Sequence, residues 1–230
     1  MRVSKEQAAL NRQHILTAAT RLFREYGIHA TGVDAITKEA GLTHGSLYSQ
    51  FGSKEAIAAE AIRFAVKRSK HLWQRVAERK PETKVFGSIV EGYLSREHRD
   101  DPGQGCVVAA LGADIARQPH SVRAAFTKEL VDVLEFLSQL MPGDDPSGRR
   151  EDAIAAFAGM VGALILARAV NDEALAERIL QTTAKQITQR TEARKPARRT
   201  ACDRRTRAKS MRIPLRSSRR KARTQVTQEV

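Results

Sequence analysis

Apolar residues recur at steps of three and four along most of this chain, the spacing of one face of an α-helix. Ile15, Ala19, Leu22, Phe23 and Tyr26 form the first such stripe, and Gly27 stops it, because glycine readily takes the left-handed turn a helix end needs. Thr31 followed by Asp34 resembles a capping box and opens a short helix over about 33–40, with Ile36 and Ala40 facing inward. Gly41 makes a tight turn and Leu42 plugs it. Thr43 caps a third helix that buries Leu47 and Phe51. Gly52 ends that helix, and Ser53 caps a long fourth one running to about residue 79, just before Pro81.

Beyond Pro81 the pattern stays helical. A helix is expected over 84–96, a loop over 98–104 and an apolar helix over 106–117, broken by Pro119. Val122, Phe126, Leu130, Val133, Leu134, Leu137 and Leu140 mark a long amphipathic helix, and residues 142–148 (PGDDPSG) read as a loop. Ile154, Phe157, Val161, Leu164, Ile165 and Arg168 lie on the next helix, and Leu175, Ile179, Leu180 and Ile187 on a last one. No stretch alternates apolar and polar long enough to argue for a strand. The expected fold is all-α with about nine helices: a three-helix head over 1–52 and a helical bundle over 53–189. From 190 to 230 large apolar residues become sparse, and such a segment cannot bury enough surface to offset ordering entropy. It is read as a disordered basic tail.

Charge changes the picture less than its total suggests. The chain of 230 residues carries +14, but residues 190–230 hold 15 of the 40 Lys/Arg and 3 of the 26 Asp/Glu. The body is left at +2, so the polycation is the tail and the global charge says little about the body's partners. Cys106 and Cys202 stand apart with no ligand spacing around them, which argues against a disulfide framework and a metal site. Cys106, in an apolar run, reads as a small hydrophobe. The longest apolar run is 153–167, short of the ~20 residues a bilayer span needs. No apolar signal-peptide core follows Met1, and a cytoplasmic protein without a membrane span is expected.

The segment TGVDAITKEAGLTHGSLYSQFGSKEA, residues 31–56, carries the chemistry. Two short helices meeting at a glycine turn make a helix-turn-helix, whose second helix enters the major groove of DNA. Ile36, Leu42, Leu47 and Phe51 can pack on Leu22, Phe23 and Tyr26 to fix the angle. Thr43, His44, Ser46, Tyr48 and Ser49 put donors and acceptors on the outward face, and Gly45 lets the backbone approach base edges. Lys54 lies in the first turn of the next helix, where its ammonium and nearby free amides can hold a phosphate.

On these residues, 14–60 resemble the DNA-binding domain of the TetR/AcrR family of regulators, through ILTAATRLFREYGIHATGVDAITKEAGLTHGSLYSQFGSKEA. Residues 105–126 (GCVVAALGADIARQPHSVRAAF) are similar to the ligand-binding half of some members. The resemblance implies phosphate contacts at Tyr48, Lys54 and Thr31, and base contacts at His44, Gly45 and Ser49. Members usually carry Lys, Arg or another polar residue where this chain has His44, which leaves base preference there open.

A single reading head binds one half-site weakly, so a two-fold dimer is expected, formed through about 150–189. That region is apolar nearly all round over 154–170, and Gly159, Gly162 and Ala163 leave room for a partner helix. The resemblance further implies a small-molecule effector that loosens DNA binding, with the fourth helix as lever. Candidate pocket residues are Phe64, Arg68, His71, Trp73, Ile89, Tyr93, Val108, Leu111 and Phe157. No nucleophile motif, metal cluster or phosphate loop is apparent, so no enzyme activity and no cofactor are expected. The leading reading is a homodimeric repressor of double-stranded DNA released by its effector. The alternative is non-specific nucleic-acid compaction through the tail, by neutralising phosphates.

Overall fold

The computed structural model describes residues 4–193, and within them every regular element is a helix. In chain order these are α1 (Lys5–Tyr26), α2 (Val33–Ala40), α3 (His44–Phe51), α4 (Lys54–Arg79) and α5 (Glu82–Tyr93). There follow α6 (Arg96–Asp100), α7 (Val107–Ile115), α8 (His120–Gln139), α9 (Pro146–Ala169) and α10 (Glu173–Ala193). The head consists of α1–α3. In the body α4 packs along α8, α9 lies against both α8 and α10, and α7 contacts α1 and α9.

The helix boundaries follow local chemistry. Thr43 accepts a hydrogen bond from the Ser46 amide at the start of α3, and Ser53 accepts one from the Ala56 amide at the start of α4. Gly41 closes α2 at φ +65°, a left-handed conformation that a side chain would strain. Ile36, Leu47 and Phe51 are buried with Leu22 and Phe23, the packing the turn requires.

Four expectations need correction. Thr31 does not cap α2: Gly32 occupies that position without a side-chain bond, and Thr31 is buried with its hydroxyl donating to the carbonyls of Leu22 and Gly27. Tyr26, the last residue of α1, is 64% exposed, and Ile28, beyond the Gly27 turn, packs into the core instead. The segment read as a loop from residue 98 starts inside the short helix α6, because Ser95 accepts a hydrogen bond from the His98 amide and starts a turn; the described residues hold ten helices where about nine were expected. Finally α10 runs to Ala193, past the boundary drawn at 190. Ile187 still packs on the core there, and the Thr188 and Thr191 hydroxyls donate back to the Ala184 and Ile187 carbonyls within the helix. The remainder of the expected disordered tail lies outside the described residues.

By length and composition α9 could cross a membrane, but Ala153, Met160, Leu164 and Ala167 are buried against neighbouring helices, as in the core of a folded body. Its other face is different. Ile154, Ile165 and Leu166 are 47%, 43% and 56% exposed, so a helix apolar on all sides is covered on one side only.

Candidate functional site

Charged side chains pin the reading head. Arg12 on α1 donates to the Gln50 carbonyl at the end of α3 at 2.8 Å, pairs with Glu60 of α4, and sets its guanidinium 4.2 Å from the centre of the Phe51 ring. Arg21 bridges Glu25 on its own helix and Glu39 of α2. These ties fix α2 and α3 on α1 beyond what the apolar core does. Apolar periodicity gave no sign of them, since a charged residue on a half-buried face looks like any solvated charge.

On this support the outward surface of α3 is polar and open. Thr43, His44, Gly45, Tyr48 and Ser49 are exposed, and Ser46 is half-buried. The His44 Nε2 meets the Asp34 carboxylate of α2, which fixes where the ring stands. The Ser49 hydroxyl donates to the Ser46 carbonyl at 2.9 Å. Lys54, the first residue of α4, donates to the His29 carbonyl at 3.1 Å, so its ammonium is held beside the head. Thr31 does not join this surface: buried, with its hydroxyl spent on two carbonyls, it offers no group to a phosphate.

A second feature lies in the body. A cleft of about 190 Å³ opens between α4, α5 and the segment 98–106, lined by Trp73, Ile89, Tyr93, His98 and Cys106 among others. Of the nine pocket candidates, Trp73, Ile89 and Tyr93 line it, and Phe157 packs edge-on against the Trp73 and Tyr93 rings at 6.3 and 6.2 Å. Leu111 is core, Val108 packs on the core and Phe64 is half-buried outside the lining. Arg68 and His71 are exposed and do not line the cleft. At 3.6 residues per turn, positions two and five before Trp73 fall on other faces of α4. Ser69, His98, Gln104 and Cys106 also line the cleft, and nothing in the local apolar pattern singles them out.

Buried polar groups knit the wall of this cleft. Arg24 of α1 donates to the Gly105 carbonyl at 2.9 Å, and Arg168 of α9 donates to the His98 and Arg99 carbonyls at 2.6 and 3.0 Å. A methyl group on Gly105 would meet the Arg168 guanidinium at 2.8 Å and the His98 ring at 2.9 Å, so the approach requires glycine. The segment 98–106 is thereby tied to the reading head on one side and to α9 on the other. The Asp114 carboxylate adds a second tie, accepting the Ile28 amide at 2.6 Å. Burial, with the Arg68 charge adding to it, pulls Arg24 down to about 10, still charged at neutral pH. Burial also pushes the Tyr93 phenol well up.

His98 has a fixed tautomer. The Cys106 amide can only donate, so Nε2 accepts it at 2.8 Å, and Nδ1 carries the proton and donates to the Tyr93 carbonyl at 2.6 Å. Burial first, then the Arg168 and Arg24 charges, hold this imidazole below its ordinary pKa, against the Tyr93 bond that raises it. The unfolded chain therefore takes up a proton near pH 6.5 that the folded chain resists, so stability is full above about pH 6.5 and is lost as pH falls below it. Thermal melts are expected to show a decline between pH 7 and pH 5.5 that is smaller for His98→Gln. Equal declines would contradict the assignment.

A short helix set on a glycine turn, with a polar outward face and a helical body behind it, defines a DNA-binding regulator of the helix-turn-helix class. Comparison with known proteins agrees. Residues 15–61 match the family model described as bacterial regulatory proteins, tetR family. An uncharacterised HTH-type transcriptional regulator of Mycobacterium tuberculosis is 25% identical over 169 residues, covering 70% of this chain and 86% of that one. The HTH-type regulator YxaF of Bacillus subtilis is 46% identical over 120 residues, covering 51% of this chain and 63% of that protein. A TetR-family regulator from Cytophaga hutchinsonii, 19% identical, superposes with a TM-score of 0.67 over 81% of this chain and 96% of that one. The chain belongs to the TetR family of transcriptional regulators.

Proposed function

We propose that this regulator acts in the cytoplasm as a homodimeric repressor that grips a palindromic operator and releases it when a small molecule fills the cleft in its body. The observation that carries the reading is the outward face of α3, where five exposed positions, Thr43, His44, Gly45, Tyr48 and Ser49, stand on a helix pinned at both ends. His44, Gly45 and Ser49 meet base edges, while Tyr48 and Lys54 hold phosphates. The exposed face of α9, with α10 beside it, joins two copies and sets the distance between their heads. Arg24 supports the release step, because it ties a wall of the cleft to α1 of the head. A ligand that prefers the segment 98–106 in a different position shifts the head with it, by as much as its affinity differs between the two positions.

Selection of bound sequences from a random DNA pool tests this. One motif with two-fold symmetry is expected. His44→Ala and Ser49→Ala are each expected to change the bases preferred within a half-site while leaving its symmetry and spacing intact. Recovery of the parent motif by both variants would remove these residues from base reading, and recovery of no motif at all would favour a non-specific binder.

A further inference from the structure

We propose that the cleft beside Tyr93 is built for an acid: a small aromatic or apolar molecule carrying a single carboxylate or similar anion. The proposal rests on reading this cleft as the effector site and names the chemistry it selects. One wall is apolar, formed by Trp73, Val76 and Ile89. Among the described residues no aspartate or glutamate lines the cleft. Tyr93 lines the polar end on a side chain only 4% exposed, and its buried hydroxyl has no nitrogen or oxygen partner among the described residues; its neighbour there is the Cys106 thiol, a weak acceptor. A buried donor left with a thiol as its acceptor is poorly satisfied, and a ligand oxygen that displaces the thiol satisfies it better.

Charge decides which acceptor. Arg24 and Arg168 stand behind the segment that forms this end, and neither makes an ion pair among the described residues. Both donate to backbone carbonyls, which carry no formal charge, and the buried Arg24 Nε has no hydrogen-bond partner among the described residues; the nearest acids act on them only at a distance. Their pKa values are lowered, chiefly by burial, as for cations short of a counter-charge. Asp101, the acid on the same segment, accepts the Gln104 amide at 3.1 Å and pairs with neither arginine. His98, held neutral, adds no negative charge and has both ring nitrogens occupied. An anion placed at the Tyr93 hydroxyl thus gains a donor and sits in the field of two buried cations, where low local polarity strengthens the attraction. A cationic ligand meets the same field as repulsion. The volume, below the usual range for drug-sized ligands, suits a molecule of about one ring.

Trp73 lines the cleft and is the single tryptophan of the chain, so its fluorescence reports occupancy directly. The test titrates the full-length protein with benzoate, benzamide and benzylamine, which share a ring and differ in charge. Benzoate is expected to give a saturable change, benzamide to bind at least about tenfold more weakly, and benzylamine to give none. Tyr93→Phe, which removes a hydroxyl whose partner in the fold is a weakly accepting thiol, is expected to keep its melting temperature within a few degrees and weaken benzoate about tenfold. No saturable response to benzoate, equal binding of benzamide or benzylamine, or unchanged benzoate affinity in Tyr93→Phe would each overturn the acid site. Operator affinity is measured in the same titration. Benzoate binding that leaves it unchanged would uphold the acid site and overturn only the reading of the cleft as the effector site.

Discussion

Leu166→Glu is expected to turn a dimer into a monomer and to lower operator affinity by about two orders of magnitude or more. Linking two heads makes the second half-site encounter intramolecular, a gain of about 10²–10⁴ that a monomer forfeits. Leu166 is 56% exposed in the single chain, on the same uncovered face of α9 as Ile154 and Ile165. A glutamate there faces water in the monomer, so the fold loses little. In a dimer it would be buried without a partner, which no closely packed interface tolerates cheaply. Sedimentation velocity and gel-shift titration read the two effects separately. A variant that remains dimeric places the interface elsewhere; a monomer with parental operator affinity removes the need for two heads.

The second large effect lies at the phosphates. Tyr48→Phe deletes one hydroxyl and Lys54→Ala one charge, and in the proposed two-fold dimer each loss counts twice. A single hydrogen bond is worth about 1 kcal/mol, so Tyr48→Phe should weaken operator binding by roughly 10- to 30-fold. If Lys54 holds a phosphate in each proposed half-site, Lys54→Ala removes two neutralisations per dimer, which should make log K against log salt shallower by about 2. Neither change should alter the preferred sequence, because phosphates carry no base identity. The Lys54 ammonium already rests on the His29 carbonyl, so the fold holds it in place before DNA arrives. Parental affinity and parental salt slope in both variants would take these two residues out of the interface.

The head was legible in the sequence because each of its turns uses residue types that have few other uses. Gly41 takes a left-handed φ, Thr43 and Ser53 cap helices, and Leu47 and Phe51 recur at helical spacing into the core. Thr31 was misread because a buried hydroxyl that returns to a backbone carbonyl and a capping hydroxyl look alike in a sequence. Tyr26 was misread because periodicity does not tell where a helix end leaves the core. The cleft was half legible. Its aromatic wall follows from α4 and α5, but His98, Gln104 and Cys106 reach it from a segment placed only by tertiary contacts with Arg24 and Arg168. Arginines buried 81 and 70 residues away from their partners leave no local pattern to find.

Hydroxyl-radical footprinting of the full-length protein on DNA upstream of its own gene tests the central claim most directly. Two symmetric patches of protection, one helical turn or a small multiple apart, are expected, with both patches lost together in Leu166→Glu. Continuous protection without a boundary, or one patch that survives in Leu166→Glu at parental affinity, would contradict an operator gripped by two heads.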